Sequence, residues 1–316
     1  MSKKYFITSD VHSFFTPFKQ ALDEAGFDIN NDEHILIING DLFDRGDQTL
    51  ETLNFVRTLP KEKRILIRGN HEYLLRDLLN KSLPNSYDIS NGTMLTVFQL
   101  AGLNLHEESS LKTDYEYLKE IIDSMENYCF SWVTKNDIAY GKKIWKKIVN
   151  KVKKTDILNW IFDSNEWNDY FELDNYIFCH AFIPVNKPKG MHMYQPNYES
   201  LFEKEDWRTN SSNEDFEQAT WGCPYALFDR GLFDSEKEKG KILVCGHWHC
   251  FEFKVHYYGT DYWRTRDKTE IDFNIFYSPN LIAIDACTAY SGVCNVLVIE
   301  DGKCYQHNKL LEYKTI

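Results

Sequence analysis

Short apolar runs separated by helical periods fill the first eighty residues. Tyr5-Phe6-Ile7-Thr8, Ile35-Leu36-Ile37-Ile38 and Arg64-Ile65-Leu66-Ile67 predict strands, and residues 17–25, 49–59 and 71–80 predict helices. That alternation points to βαβ units. Runs this continuously apolar suit parallel strands covered on both faces. From about 83 to 174 the rhythm becomes helical, with 114–128 and the lysine-rich 141–154 as its clearest helices and no strand between them. Strand signals return at 176–179, 241–245, 281–284 and 296–299, and Asp301-Gly302 supplies a hairpin turn before 304–307. Residues 186–239, rich in Asn, Ser, Glu and Pro, read as a long surface excursion. The pattern predicts one α/β (α+β) domain over 1–316, interrupted by a helical insertion at about 83–174 and by that excursion.

Five of these segments end in residues that bind divalent metals: Asp10-Val11-His12, Gly40-Asp41-Leu42-Phe43-Asp44-Arg45-Gly46, Gly69-Asn70-His71-Glu72, His180-Ala181 and Gly246-His247-Trp248-His249. Ligands of open α/β sheets collect outside the C-terminal ends of the strands. Five such ends converging would make one site. Asp, His and Asn are hard or borderline donors, suited to manganese first and also to iron or zinc. Asp10, His12 and Asp41 form one shell in this reading, Asn70, His180 and His247 the other. Asp41 bridges two ions about 3.5–4 Å apart, the separation that clamps both oxygens of an in-line phosphoryl displacement. A hydroxide shared by the ions is then available near neutral pH, and no nucleophilic side chain is needed. Arg45 offers a planar fork of donors to phosphoryl oxygens, with Asn70 beside it. His71 is assigned as general acid, and Asp44 as the group that fixes its tautomer.

A lone Asp-x-His is common, and a histidine after an apolar run, such as His180, is more often a satisfied core residue. Gly-Asp-x-x-Asp-Arg-Gly and Gly-Asn-His-Glu, each directly after a strand signal, are what carry the assignment.

Composition narrows the partners. The chain has 48 acidic and 36 basic residues and a net charge of −12, which argues against holding nucleic acid by phosphate neutralisation. Lys142, Lys143, Lys146, Lys147, Lys151, Lys153 and Lys154 accordingly read as a solvated helix face. No run approaches a membrane span, and no segment of signal-peptide length precedes Ser9-Asp10, so a cytoplasmic protein without membrane partners is expected. The 8 cysteines contain no CxxC pair, which excludes a zinc ribbon. Cys179 and Cys245 read as small buried hydrophobes. Nothing in the sequence speaks to oligomeric state.

The order of these motifs resembles the metal-dependent phosphoprotein phosphatases within the calcineurin-like metallophosphoesterases. The Asp-Arg-Gly ending is similar to that family's own. Two further stretches resemble its bacterial and phage lambda-phosphatase-like branch: Asn91-Gly92-Thr93 with Thr96, and Ile282-Ala283-Ile284-Asp285-Ala286-Cys287-Thr288-Ala289-Tyr290-Ser291-Gly292. The likeness covers about residues 1–100, 175–185 and 240–307. It implies two packed mixed β-sheets flanked by helices, two divalent metal ions, and Tyr290 near the substrate. The Gly-His-x-His pattern, common in the wider superfamily, adds His249 as a candidate ligand. One departure concerns substrate grip. Trp221 is followed by Gly222-Cys223-Pro224 where those bacterial proteins carry a second phosphate-binding arginine, leaving Arg208 and Arg230 as candidate replacements. The helical insertion is expected to roof the site.

The expectation is therefore a serine/threonine-type phosphomonoesterase acting on a phosphorylated protein or small phosphoester. Its alternatives are a dinucleoside polyphosphate hydrolase, such as a diadenosine tetraphosphatase, and a noncatalytic metal-binding interaction protein.

Overall fold

The computed structural model describes residues 3–126, 133–194, 196–259 and 271–312. Twelve strands among them make two sheets. The larger contains β1 (Lys4–Thr8), β2 (His34–Asn39), β3 (Arg64–Ile67), β4 (Trp167–Asn168), β10 (Leu297–Glu300), β11 (Lys303–Gln306) and β12 (Lys309–Leu310), in the order β12-β11-β10-β1-β2-β3-β4. The smaller contains β5 (Phe171–Leu173), β6 (Tyr176–Phe178), β7 (Ile242–Cys245), β8 (Phe276–Tyr277) and β9 (Leu281–Ala283), in the order β5-β6-β7-β9-β8. In the larger sheet β1 to β4 run parallel and β10 joins β1 antiparallel. In the smaller one β6, β7 and β9 are parallel, with antiparallel strands at both edges.

The two-residue period of a strand explains how the sheets pack. Phe6, Leu36, Ile38 and Leu66 face a helical layer that supplies Phe18, Leu22, Val56, Leu75, Val97 and Phe98. Their neighbours Ile7, Ile37 and Ile67 turn the other way, against Tyr176, Phe178, Val244 and Ile282 of the second sheet. Ile177, Leu243, Cys245 and Ala283 then face a third apolar layer. Side chains on both faces of the central strands are thus removed from water, as the runs of apolar residues predict.

One polar residue crosses between the sheets. Asn39, fully buried at the end of β2, donates from Nδ2 to the carbonyls of Cys179 (2.9 Å) and Val244 (3.2 Å). Replacing it with Ala leaves those carbonyls poorly satisfied and is expected to lower unfolding free energy by about 1–3 kcal/mol. Denaturant titration checks this as a fall in midpoint at unchanged slope.

The predicted strands and helices are present, most within a few residues of their expected bounds, although the lysine-rich helix begins well before position 141, at Lys135, and the fold class is as expected. Three differences have physical reasons. The helical insertion contains helices at Ser86–Ser90, Thr93–Leu100, Ser110–Glu126, Lys135–Val152 and Ile157–Ile161, but β4 and β5 also lie before residue 174. Strands of two and three residues are too short to show a period. Positions 127 and 128 of one expected helix lie outside the described residues. The 186–239 stretch is more than surface: Met193, Leu201, Trp207, Leu227 and Phe233 are buried against the smaller sheet. Lastly β8 and β12, two residues each, gave no signal.

The lysines of the Lys135–Val152 helix are exposed while Ile144, Trp145, Ile148 and Val149 join the main core, so the basic run is a solvated face. Cys179 and Cys245 are buried, and the seven described cysteines are free thiols. Among the described residues no helix is long and apolar enough to cross a membrane.

Candidate metal centre

The chain turns sharply after β1, β2 and β7, three of the strands that deliver donors. Asp10, His12, Asp41, Arg45 and His247 have φ of 54, 51, 53, 62 and 63°, a left-handed region that costs an L-residue ~1–2 kcal/mol. Such strain persists where surrounding contacts over-determine the backbone, and it clusters at functional sites. Here the contacts are very close. A Cβ on Gly246 would overlap Ser9 Oγ and Asp10 Oδ2, and one on Gly40, itself at φ 89°, would overlap the His180 ring.

The donors are held by their non-ligating atoms. His12 Nδ1 meets the Phe43 carbonyl at 3.0 Å and His180 Nδ1 the Asn39 carbonyl at 3.0 Å. A carbonyl only accepts, so both rings carry their proton on Nδ1 and present Nε2 inward. His12 Nε2 lies 3.7 Å from Asp41 Oδ2 and 3.8 Å from Asp10 Oδ1. His180 Nε2 lies 3.3 Å from Asp41 Oδ1 and 2.9 Å from Asn70 Oδ1. Asp10 Oδ2 accepts from Ser9 Oγ and from the His247 amide (2.9 Å), which links β1 to the β7 loop.

Among the described residues two groups have ligand atoms within 4.8 Å of one another, His12 with Asp41 and His71, and Asp41 with His180 and His247. Asp41 is common to both, as a bridging residue must be. His71 stands where the sequence places Asp10, while Asp10 lies at the edge of the first group.

The charges suit divalent cations. Burial raises Asp10 to about 6 and Glu72 to about 7, and raises Asp285 well above the carboxylate range, with neighbouring carboxylates adding to each. These carboxyls resist ionising where they stand, and a cation among them would favour the carboxylate form. Burial also holds His12 and His247 well below 6.5, in the neutral form that ligates. At His180 burial is outweighed by Asp41, which lifts it to about 10. A cation bound beside Asp41 would compete with that proton for the ring's Nε2.

Beside the donors, His71 Nδ1 is 2.7 Å from Asp44 Oδ2. Asp44 is itself held, accepting from Thr93 Oγ1 at 2.6 Å while its amide donates to Thr96 Oγ1 at 3.1 Å. The Asn-Gly-Thr segment thus fixes Asp44, and the sequence offered no role for it. Glu72 also went unassigned. Its carboxylate accepts from the amides of Gly69 (2.7 Å), Leu42 (3.0 Å) and Asp41 (3.1 Å), tying the β2 and β3 loops together. Asp285 follows β9 as Asp10 follows β1, so the strand-end rule would have found it.

These residues surround a cavity of about 160 Å³ lined by Asp10, His12, Asp41, Arg45, Asn70 and His71, with His247, His249 and Asp285. His180 is fully buried beneath it. His249 Nε2 stands 3.7 Å from Asp285 Oδ2, outside both ligand groups. Tyr290 is not part of the lining. Its ring lies 6.0 Å from Phe273, and the closing loop contributes Cys287, Thr288 and Ala289 instead. Arg208 is engaged by Glu172 and Glu238, and Arg230 by Glu199, so neither replaces the second arginine. Among the described residues Arg45 is the arginine that lines the cavity. From the insertion come Tyr87 and Asn91, and from the excursion Tyr194 and Trp221.

Comparison with known proteins agrees with this geometry. The family described as calcineurin-like phosphoesterase matches residues 3–251. A protein of Buchnera aphidicola subsp. Baizongia pistaciae (strain Bp), named bis(5'-nucleosyl)-tetraphosphatase, symmetrical, is 27% identical over 169 residues, 51% of this chain and 56% of that protein. One of the same name from Psychromonas ingrahamii (strain DSM 17664 / CCUG 51855 / 37) is 42% identical over 67 residues, 21% of this chain and 23% of its own. The matches thus span little more than half the length of the first relative and about a quarter of the second. A solved metallophosphoesterase from Sphaerobacter thermophilus is similar over 98% of this chain and 89% of that chain, at 12% identity and a TM-score of 0.41. With its fold, its site and a family match over most of its length, the chain belongs to the calcineurin-like phosphoesterases.

Proposed function

We propose that this hydrolase acts on dinucleoside polyphosphates, cleaving a phosphoanhydride, in preference to phosphoproteins. The observation that carries the reading is the similarity to relatives named bis(5'-nucleosyl)-tetraphosphatase. It moves the dinucleoside alternative ahead of the phosphoserine/phosphothreonine expectation. Asp10, His12, Asp41, Asn70, His180 and His247 would hold two divalent ions, manganese in this proposal, with His249 as a further candidate. When bound, such ions supply Lewis acidity and a water reactive at neutral pH.

The chain's own residues do the rest. Arg45 presents its guanidinium to the phosphoryl oxygens, where a planar fork both orients and neutralises. Asn70 lines the same cavity. As water adds to phosphorus and the bridging P–O bond breaks, His71 Nε2 gives its proton to the departing oxygen. Asp44 keeps the other ring nitrogen protonated and aligned. The cytoplasmic setting belongs to the same proposal and rests on scattered free thiols.

The test is a panel on manganese-loaded protein: diadenosine tetraphosphate, p-nitrophenyl phosphate, and phosphoserine and phosphothreonine peptides. Diadenosine tetraphosphate is expected to give a kcat/KM at least roughly tenfold above the others. Faster turnover of the peptides would return the phosphoprotein reading to first place. Inertness toward every phosphoester would favour a noncatalytic role.

A further inference from the structure

We propose that Tyr87, Tyr194 and Trp221 form a stacking wall that takes the nucleobase adjoining the phosphoryl group under attack. The proposal deepens the dinucleoside polyphosphate reading and rests on it for the identity of the ring.

The three side chains arrive from separate parts of the chain. Tyr87 is in the Ser86–Ser90 helix of the insertion, and Tyr194 and Trp221 are in the excursion that covers the smaller sheet. Trp221 stands edge-to-face against the candidate ligand His247, centroids 6.0 Å apart at 84°. Tyr194 stands edge-to-face against Trp221 at 5.4 Å and 88°. The rings therefore run in contact from the metal donors to the cavity mouth. Tyr87 closes the arc: its phenol is held above its ordinary value by burial first and by the neighbouring Tyr194 phenol next.

Packing alone does not account for the outer two rings. Tyr194 is 58% exposed and Tyr87 40%, so the core gains little from either. Both nevertheless line a cavity whose other lining residues are mostly polar or charged, among them Asp10, His12, Asp41, Arg45 and His71. At about 160 Å³ that cavity is well below the ~300–1,000 Å³ of pockets that enclose a whole organic ligand. It admits a phosphoryl group and leaves the remainder of the substrate at the mouth, where these rings are. A nucleobase is planar and stacks on tyrosine or tryptophan whatever its sequence identity, worth ~1–3 kcal/mol per base, or roughly 5- to 150-fold in affinity. Tyr194 and Tyr87 thus supply the grip on the substrate's organic part, and Arg45 that on its phosphate.

Calorimetric titration of the manganese-loaded full chain tests this with methylenediphosphonate, which resists hydrolysis, bearing adenosine, bearing phenol, or unesterified. The adenosine form is expected to bind roughly 5- to 150-fold more tightly than the unesterified one. Tyr194→Ala and Tyr87→Ala should each shrink that ratio severalfold, while Tyr194→Phe, which keeps the ring, should preserve it. Equal affinity for the adenosine and unesterified forms would overturn the wall, whatever the protein hydrolyses. A proportional loss toward all three ligands in Tyr194→Ala would overturn it too, since that is the mark of a merely structural residue. Binding of the phenyl form as tight as the adenosine form would overturn the nucleobase assignment. Base preference in a protein that fails to cleave diadenosine tetraphosphate would support the wall and remove only the activity proposed above.

Discussion

Replacing His71 by Asn is expected to lower kcat by roughly 10²–10⁴, the usual worth of a positioned acid, with KM little changed and both metals retained. The geometry supplies the argument. Nδ1 is tied to Asp44 at 2.7 Å, so Nε2 is the atom left to work in the cavity. Burial pulls the imidazolium down, but Asp41 and the hydrogen-bonded Asp44 outweigh it, and the ring ends above its ordinary value. The upward shift favours the protonated ring, the form that can donate to a leaving oxygen. The competing role is visible as well, because His71 lies within ligand-atom reach of His12 and Asp41. Elemental analysis separates the two. Two metals per chain with a slow enzyme fits the acid, whereas one metal per chain would make His71 a ligand and end its assignment as acid. Unchanged turnover would end both. Asp44→Asn offers a check from the other side, since an amide in that position accepts or donates and no longer fixes the tautomer; its kcat should fall in the same direction.

Much of the centre was legible because each donor directly follows a strand that is apolar on both faces. Ile7, Ile37 and Ile67 meet the second sheet while Phe6, Leu36 and Leu66 meet the helices. That double burial makes the runs continuous and marks where they stop. The missed strands are short ones, such as β4, which pairs only through Leu66 with Trp167 and Ile67 with Asn168. Their position is decided by the sheet edge they meet, and two residues carry no period of their own. Supporting residues were illegible for a related reason. Asn39 acts on carbonyls 140 and 205 positions away, and Glu72 acts on amides of a loop 30 and 31 positions upstream. Nothing local in the sequence distinguishes them from an ordinary buried amide or a helix-start glutamate. The aromatic wall is the extreme case. Residues 87, 194 and 221 share no spacing, and only the folding of an insertion and an excursion over the same cavity brings them together. Asp285 differs, since it follows an apolar run as the recognised donors do.

Asp41→Asn should have the broadest effect of any single change at this site. Asp41 Oδ2 lies 3.7 Å from His12 Nε2 and 3.8 Å from His71 Nε2, while Oδ1 lies 3.3 Å from His180 Nε2 and accepts the His71 amide at 3.0 Å. The substitution keeps the shape but removes the charge shared by both ligand groups and places an NH2 where one lone pair is required. Partners outside the ligand shell already change metal affinity by ~10–100-fold when altered. A residue common to both shells should cost more than about 100-fold at each position, with kcat/KM falling along with occupancy. The metal-free protein should suffer too. Burial opposes the Asp41 charge, but His180 and His71 win and hold its carboxyl well below the ordinary range. A depressed carboxylate stabilises the fold above its unfolded pKa and loses that stability as pH falls through the folded value. In Asp41→Asn the contribution is absent at neutral pH, and a buried His180 imidazolium is left without its counter-charge. Thermal unfolding of chelator-treated protein at pH 7 should therefore show a lower Tm for the variant, and added manganese should raise that Tm less than it raises the parent's. Two fully occupied sites in the variant would show that Asp41 does not bridge, and the paired-ion arrangement would then have to be rebuilt around Asp10 and Asp285.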